Sequence, residues 1–249
     1  MSGHSHAKTV AHQKDITNQK KGQIFSKMVR LITLAVRENG PNVETNYKLK
    51  VAIERARSFN TPNDNIERAV KQASGGLEGK ELNEFIFEAY GPGGIALIIE
   101  GITDNKNRTL GEIKQIISQY NGKLAQEGSV RWLFEKKGVI VLASENQTGE
   151  WKNKETLELK AIEAGAQDIV WRRDLLEINV SVDGLQTVKA ALEKEGVKIE
   201  NASADWVAKE EILITEAEKK QAEKLFDALD ESGDVQDIYS NLNLSVSEN

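Results

Sequence analysis

The chain has 249 residues, no cysteine, 39% hydrophobic and 29% charged residues, and a formal net charge of −6. This composition describes a soluble protein of two or three domains, and it excludes disulfides, thiolate nucleophiles and cysteine-bound zinc. The longest apolar run, Ile95-Ala96-Leu97-Ile98-Ile99, is far short of the roughly 20 residues that cross a bilayer, so no membrane partner is expected, and without the apolar core of a secretory leader the chain reads as cytoplasmic.

The charge is segregated. Residues 1–75 hold 13 Lys+Arg against 6 Asp+Glu, whereas the remainder holds 20 against 33. Within Gly3–Arg30 the bases Lys8, Lys14, Lys20, Lys21, Lys27 and Arg30 face one acid, Asp15, and all three histidines (His4, His6, His12) lie there too. A basic front on an acidic body either approaches a polyphosphate or is neutralised by the acidic part of the same molecule.

In chain order, residues 1–14 show no hydrophobic period and read as an arm. A helix is expected from Asp15, with Ile24, Met28, Leu31 and Ala35 at helical spacing and Gly40-Pro41 as the stop. Lys20, Lys27 and Arg30, spaced by seven and three, share a face of it. A second helix over 42–58 turns Leu49, Ala52, Ile53 and Ala56 inward and carries Lys48, Lys50, Arg55 and Arg57. Thr61-Pro62 is expected to cap a third, which ends at Gly75-Gly76. Phe85, Phe87 and Ala89 then alternate as a strand. Tyr90-Gly91-Pro92-Gly93-Gly94 is a tight turn, and the run from Ile95 returns as the partner of a hairpin. Thr109-Leu110-Gly111-Glu112 has the form of a capping box before Ile113, Ile116 and Ile117.

From 138 to 207 the order is βαββαβ, the ferredoxin-like plan: strands at 139–143, 168–171, 176–182 and 198–202, helices at 152–164 and 185–195. A strand at 212–215, a helix at 216–229 and a strand at 235–239 lack a complete sheet of their own. The expected fold is therefore α+β. It has an arm and three-helix bundle at 1–78 followed by two α/β, ferredoxin-like domains, a discontinuous one at 79–137 plus 208–249 and the βαββαβ one at 138–207 inserted in it.

Catalysis has little to stand on. The histidines sit in the first twelve residues, and no G-x-S-x-G, P-loop or H-E-x-x-H motif is present. No enzymatic activity, cofactor or metal is expected. The exception is an incidental square-planar Cu(II) site at Ser2-Gly3-His4 if Met1 is removed. Glu210-Glu211 and Asp230-Glu231 read as solvated surface. Lys106 and Arg108, leading into a helix N-terminus, are secondary anion-binding candidates, against the alternative of a capped loop with two solvated bases. The main candidate is the basic front: Gly3, His4 and Ser5 to reach a nucleic acid, and Lys8, His12, Lys14, Lys20, Lys21, Lys27 and Arg30 to hold its phosphates. With few aromatic residues there, binding directed by structure fits better than base reading.

Several ordered motifs resemble the YebC/PmpR family along nearly the whole chain. They are the opening G-H-S, K-K-G-x-I-F-x-K-x-x-R, Y-G-P-G-G, D-N-K-N-R-T, G-S-V-x-x-L-F and the closing D-V-Q-x-I-Y-x-N. The resemblance implies three domains, no catalytic activity, and DNA-binding transcriptional regulation. Other family members are described as ribosome-associated translational activators that relieve stalling, which implies ribosomal or transfer RNA and the ribosome as alternative partners. A protein-binding adaptor is a third reading. The chain departs from the family's opening G-H-S-K-W at His6 and Ala7, and places Ala11, Gln13 and Gln23 where the arm commonly has bases and Ala208 where a proline is usual.

Overall fold

The computed structural model describes residues 18–75 and 81–243, with side chains from Lys21 onward. Contacts divide these into two units: residues 18–129 with 215–238, and residues 130–214 with 239–243. The fold is α+β, with an N-terminal helical bundle, two four-stranded sheets, and one sheet carried on a segment inserted in the other unit.

The first unit opens with the bundle. Helix α1 (Asn18–Asn39) buries Met28, Ile32, Ala35 and Val36. It stops where Gly40, at φ 81°, donates its N–H to the Val36 carbonyl at 2.8 Å. Helix α2 (Tyr47–Ser58) begins later than its sequence suggests because Asn46 is the cap. The Asn46 carbonyl oxygen accepts from the Leu49 N–H at 3.0 Å, and its amide donates to the carbonyls of Ala35 and Gly40 at 2.8 and 2.7 Å. This one buried side chain thus satisfies backbone groups at the end of α1 and the start of α2. Helix α3 (Asn63–Ser74) follows Pro62 without a side-chain cap, so Thr61 does not have the role expected of it. Leu49, Ala52, Ile53, Ala56, Ile66 and Ala69 complete the bundle core.

Strands β1 (Asn83–Tyr90) and β2 (Ala96–Thr103) form the expected antiparallel hairpin, with Phe85 opposite Gly101 and Phe87 opposite Ile99. Pro92–Gly94 joins them as one 3-10 turn with Gly93 and Gly94 at positive φ. Helix α4 (Lys106–Gln119) starts three residues before the Thr109 capping signature, and Asn105 caps it by accepting the Arg108 N–H at 3.1 Å. The short β3 (Lys123–Leu124) pairs with β1. After the insertion, Thr215 and Glu218 form a capping box on α7 (Glu216–Glu231), the last helix among the described residues, and β8 (Val235–Ser240) closes the order β3-β1-β2-β8. Ile113 and Ile117 of α4 and Ala222, Leu225, Phe226 and Leu229 of α7 are buried, as is β2 along nearly its whole length.

The second unit is a βαββαβ sheet of β4 (Phe134–Ala143), α5 (Lys154–Ala164), β5 (Asp168–Arg172), β6 (Leu175–Val180), α6 (Leu185–Lys194) and β7 (Asn201–Ala208), in the order β5-β6-β4-β7. Ile140, Leu142, Leu176 and Ile178 pack with Leu157, Ala161, Val188 and Leu192 in one apolar cluster. Gly165, at φ 111°, ends α5 in the left-handed conformation. The strand expected at 212–215 is reduced to a single bridge between Ile212 and Leu242.

Candidate nucleic-acid interface

Gly3, His4, Ser5, Lys8, His12 and Lys14 lie outside the described residues, as does the Ser2-Gly3-His4 copper candidate. Lys20 lies in the first turn of α1, and Lys21, the next residue, is exposed. Further along the same helix Lys27 and Arg30 turn inward, whereas Arg37 in the last turn is exposed. Lys27 is 6% exposed; its ammonium donates to the Asp230 carbonyl at 2.6 Å and pairs with the Asp230 carboxylate at 3.0 Å. Arg30 pairs with the Asp234 carboxylate and donates to the Ile102 carbonyl at 3.1 Å.

Asp234 is the centre of this arrangement. Its carboxylate, 5% exposed, also accepts Arg108 Nη2 at 2.8 Å and the Thr109 hydroxyl at 2.6 Å, with the Thr103 hydroxyl at 3.2 Å. Burial pushes its pKa up, but the hydrogen bonds from Thr109, Arg30 and Arg108 outweigh that and hold it at about 2. Arg108 is held a second time by Asp104 at 2.7 Å. One secondary anion candidate therefore already faces the carboxylates of Asp234 and Asp104, with that of Glu112 at 3.7 Å, while Lys106, at the first position of α4, is exposed. Nearby on α2 and β8, Arg55 and Asp237 make a two-pronged pair at 2.9 and 2.6 Å.

The structure thus joins Arg30 and Arg108, which are far apart in sequence, and it does so around an acid of the same chain. Lys27, Arg30 and Arg55 follow the intramolecular alternative for the basic front. The sequence reading missed Asp230, Asp234 and Asp237 as their partners. Asp230 is no mere solvated acid, and neither is Glu211, which accepts Arg172 at 2.6 Å. No local signal reveals a pairing across 203 or 204 residues. A signal did exist in the motifs: K-x-x-R, D-N-K-N-R-T and D-V-Q-x-I-Y, distant in the chain, supply Lys27 and Arg30, Asp104 to Thr109, and Asp234 respectively.

Other bases remain on the surface of the bundle. Lys21 of α1, Lys50 and Arg57 of α2, and Arg68 and Lys71 of α3 are exposed and have no ion-pair partner among the described residues. Lys50 and Arg57, seven apart, share a face of α2, and Arg68 and Lys71, three apart, share one of α3. Among the described residues no cluster of three or more His, Asp or Glu could hold a metal ion, and no helix is long and apolar enough to cross a membrane.

A bundle bearing solvent-facing cations, followed by two α/β sheets, is an architecture with known relatives. Residues 5–76 match the TACO1/YebC protein N-terminal domain and residues 82–242 the TACO1/YebC second and third domain. A protein of Pseudothermotoga lettingae is 43% identical over 248 residues, covering 100% of this chain and 96% of its own. One of Caldanaerobacter subterraneus subsp. tengcongensis is 43% identical over 244 residues, covering 98% and 99%. Both are named probable transcriptional regulatory proteins. The crystal structure of a conserved hypothetical protein from Aquifex aeolicus superposes with a TM-score of 0.83 at 38% identity, covering 93% of each chain. The chain belongs to the TACO1/YebC family.

Proposed function

We propose that this chain is a non-enzymatic, cytoplasmic regulator of gene expression that binds nucleic acid, acting on DNA as a transcriptional regulator. The observation that carries the reading is the set of five exposed cations, Lys21, Lys50, Arg57, Arg68 and Lys71, on the bundle at the front of an otherwise acidic chain. Each cation that neutralises a phosphate releases a condensed counterion, and that release drives sequence-independent affinity. The names of the full-length relatives support a regulatory role. In this reading Gly3, His4, Ser5, Lys8, His12, Lys14 and Lys20 add further contacts to the same nucleic acid. Lys27 and Arg30 contribute by fixing α1 against Asp230 and Asp234.

A second reading, an RNA-binding translation factor at the ribosome, is favoured by the mixed sign of the bundle's exposed faces. Glu54 lies between Lys50 and Arg57, and Asp64 and Glu67 precede Arg68 and Lys71. Acids set among the bases leave no continuous cationic stripe to follow the regular phosphate rows of a duplex, whereas a folded RNA offers its phosphates at irregular spacing. Sedimentation through a sucrose cushion separates the two. Saturable preference for a promoter duplex over random duplex, without co-pelleting, is the result expected for the DNA regulator. Salt-sensitive co-pelleting with ribosomes replaces that reading with the translation factor. Neither behaviour leaves the protein-binding adaptor.

A further inference from the structure

The bundle is not the sole place where cations gather. In the second unit the turn Arg131–Leu133 enters β4, and β4 pairs with β7 so that Phe134 faces Ala208 and Lys136 faces Trp206. This register brings one end of the sheet together with the turn and with Lys209. Trp132 at the turn is 66% exposed. The Lys209 ammonium donates to the Trp132 carbonyl at 2.8 Å, and the Lys209 N–H donates to the Leu133 carbonyl at 2.9 Å, so the turn that presents the indole is held from both sides of one residue. On the paired strands Lys136 stands 4.8 Å from the Trp206 ring centre and 5.8 Å from that of Tyr239, and the guanidinium of Arg131, the residue before Trp132, stands 5.9 Å from the same Trp206 ring.

Tryptophan is among the largest apolar side chains, and leaving most of one in water forgoes its burial. An exposed indole on a pinned turn, with Arg131 preceding it in the chain and the Lys209 ammonium on its own carbonyl, has the two components by which proteins hold unpaired bases: a flat π-face for the base and cations for the neighbouring phosphates. The cations here stand in a part of the chain where acids outnumber bases by 33 to 20, so their grouping runs against the local composition.

We propose that Trp132, with Arg131, Lys136 and Lys209, is a stacking site for an unpaired base of single-stranded nucleic acid. The proposal rests on the nucleic-acid reading above but uses a different surface. A duplex, whose bases are already stacked, gains nothing from Trp132, whereas a single strand does.

The test uses the full chain and a short, unstructured, labelled RNA strand, the same strand as DNA, and the matching duplex. Trp132→Ala is expected to weaken both single strands about tenfold and to leave the duplex unchanged. Trp132→Phe, which keeps a ring, restores most of the loss. Single-strand affinity equal to that of the wild type in Trp132→Ala overturns the proposal, as does equal loss for strand and duplex, which marks general damage. Glu substitutions at Lys21, Lys50 and Arg57 report on the bundle separately. Wild-type duplex binding in that variant, beside a loss of single-strand binding in Trp132→Ala, sinks the bundle reading and leaves this one standing.

Discussion

At Asp234 a single carboxylate receives groups from three parts of the chain: Arg30 of α1, Arg108 and Thr109 of α4, and Thr103 at the end of β2. Removing one member of a buried ion pair leaves the others uncompensated, so the pair costs more to break than it contributes as a whole. The depressed pKa fixes the pH signature. A carboxylate at about 2 in the folded chain, against an ordinary 3.8, favours the folded state above the ordinary value and loses that contribution as pH falls towards 2. The shift corresponds to about 2 kcal/mol. Asp234→Asn is therefore expected to unfold more readily than the wild type at neutral pH, with the difference shrinking between about pH 4 and pH 2. Urea denaturation across that range checks it, and a difference that does not change with pH would place the Asp234 contribution elsewhere than in its charge.

The elements show what a sequence can and cannot disclose about itself. The alternation Phe85-Ile86-Phe87 and the apolar run from Ile95 gave the hairpin, and the glycine after Ala164 gave the end of α5, because each signal acts within a few residues. The starts of α2 and α4 were less legible. Asn46 is a good cap, but its choice over Asn42 depends on the carbonyls of Ala35 and Gly40. Thr109 carries the local capping pattern, yet it sits buried within the helix with its hydroxyl on a residue 125 positions away, and Asn105 caps instead. The candidate site divides the same way. The shared face of Lys27 and Arg30 was legible from spacing alone, whereas the acids opposite them were not. Close packing at β2 supplies a further test. A methyl group on Gly101 would stand 2.2 Å from the Asp234 carbonyl and 2.4 Å from the Phe85 ring, so neither backbone nor core can hold its place. Gly101→Ala is expected to lose about 3 kcal/mol in urea denaturation, and Gly111→Ala, at an open position in α4, to lose none.

Across the whole molecule the charge is arranged in two ways at once. Lys27, Arg30 and Arg55 are matched by Asp230, Asp234 and Asp237, which fastens the helical bundle to the α7–β8 end of the first unit. Lys21, Lys50, Arg57, Arg68 and Lys71 are left facing solvent. The matched set anchors the bundle, and the exposed set is the proposed grip on phosphodiester. Substitutions at the two sets should therefore separate stability from binding, and the exposed set gives the direct test. Duplex affinity is measured as a function of salt for the wild type and for the variant carrying Lys21→Glu, Lys50→Glu and Arg57→Glu, with thermal unfolding recorded beside it. The account predicts an unchanged unfolding transition, affinity lower by at least about tenfold, and a salt dependence shallower by about one for each phosphate contact removed. Binding curves and salt slopes that superimpose on those of the wild type would contradict it.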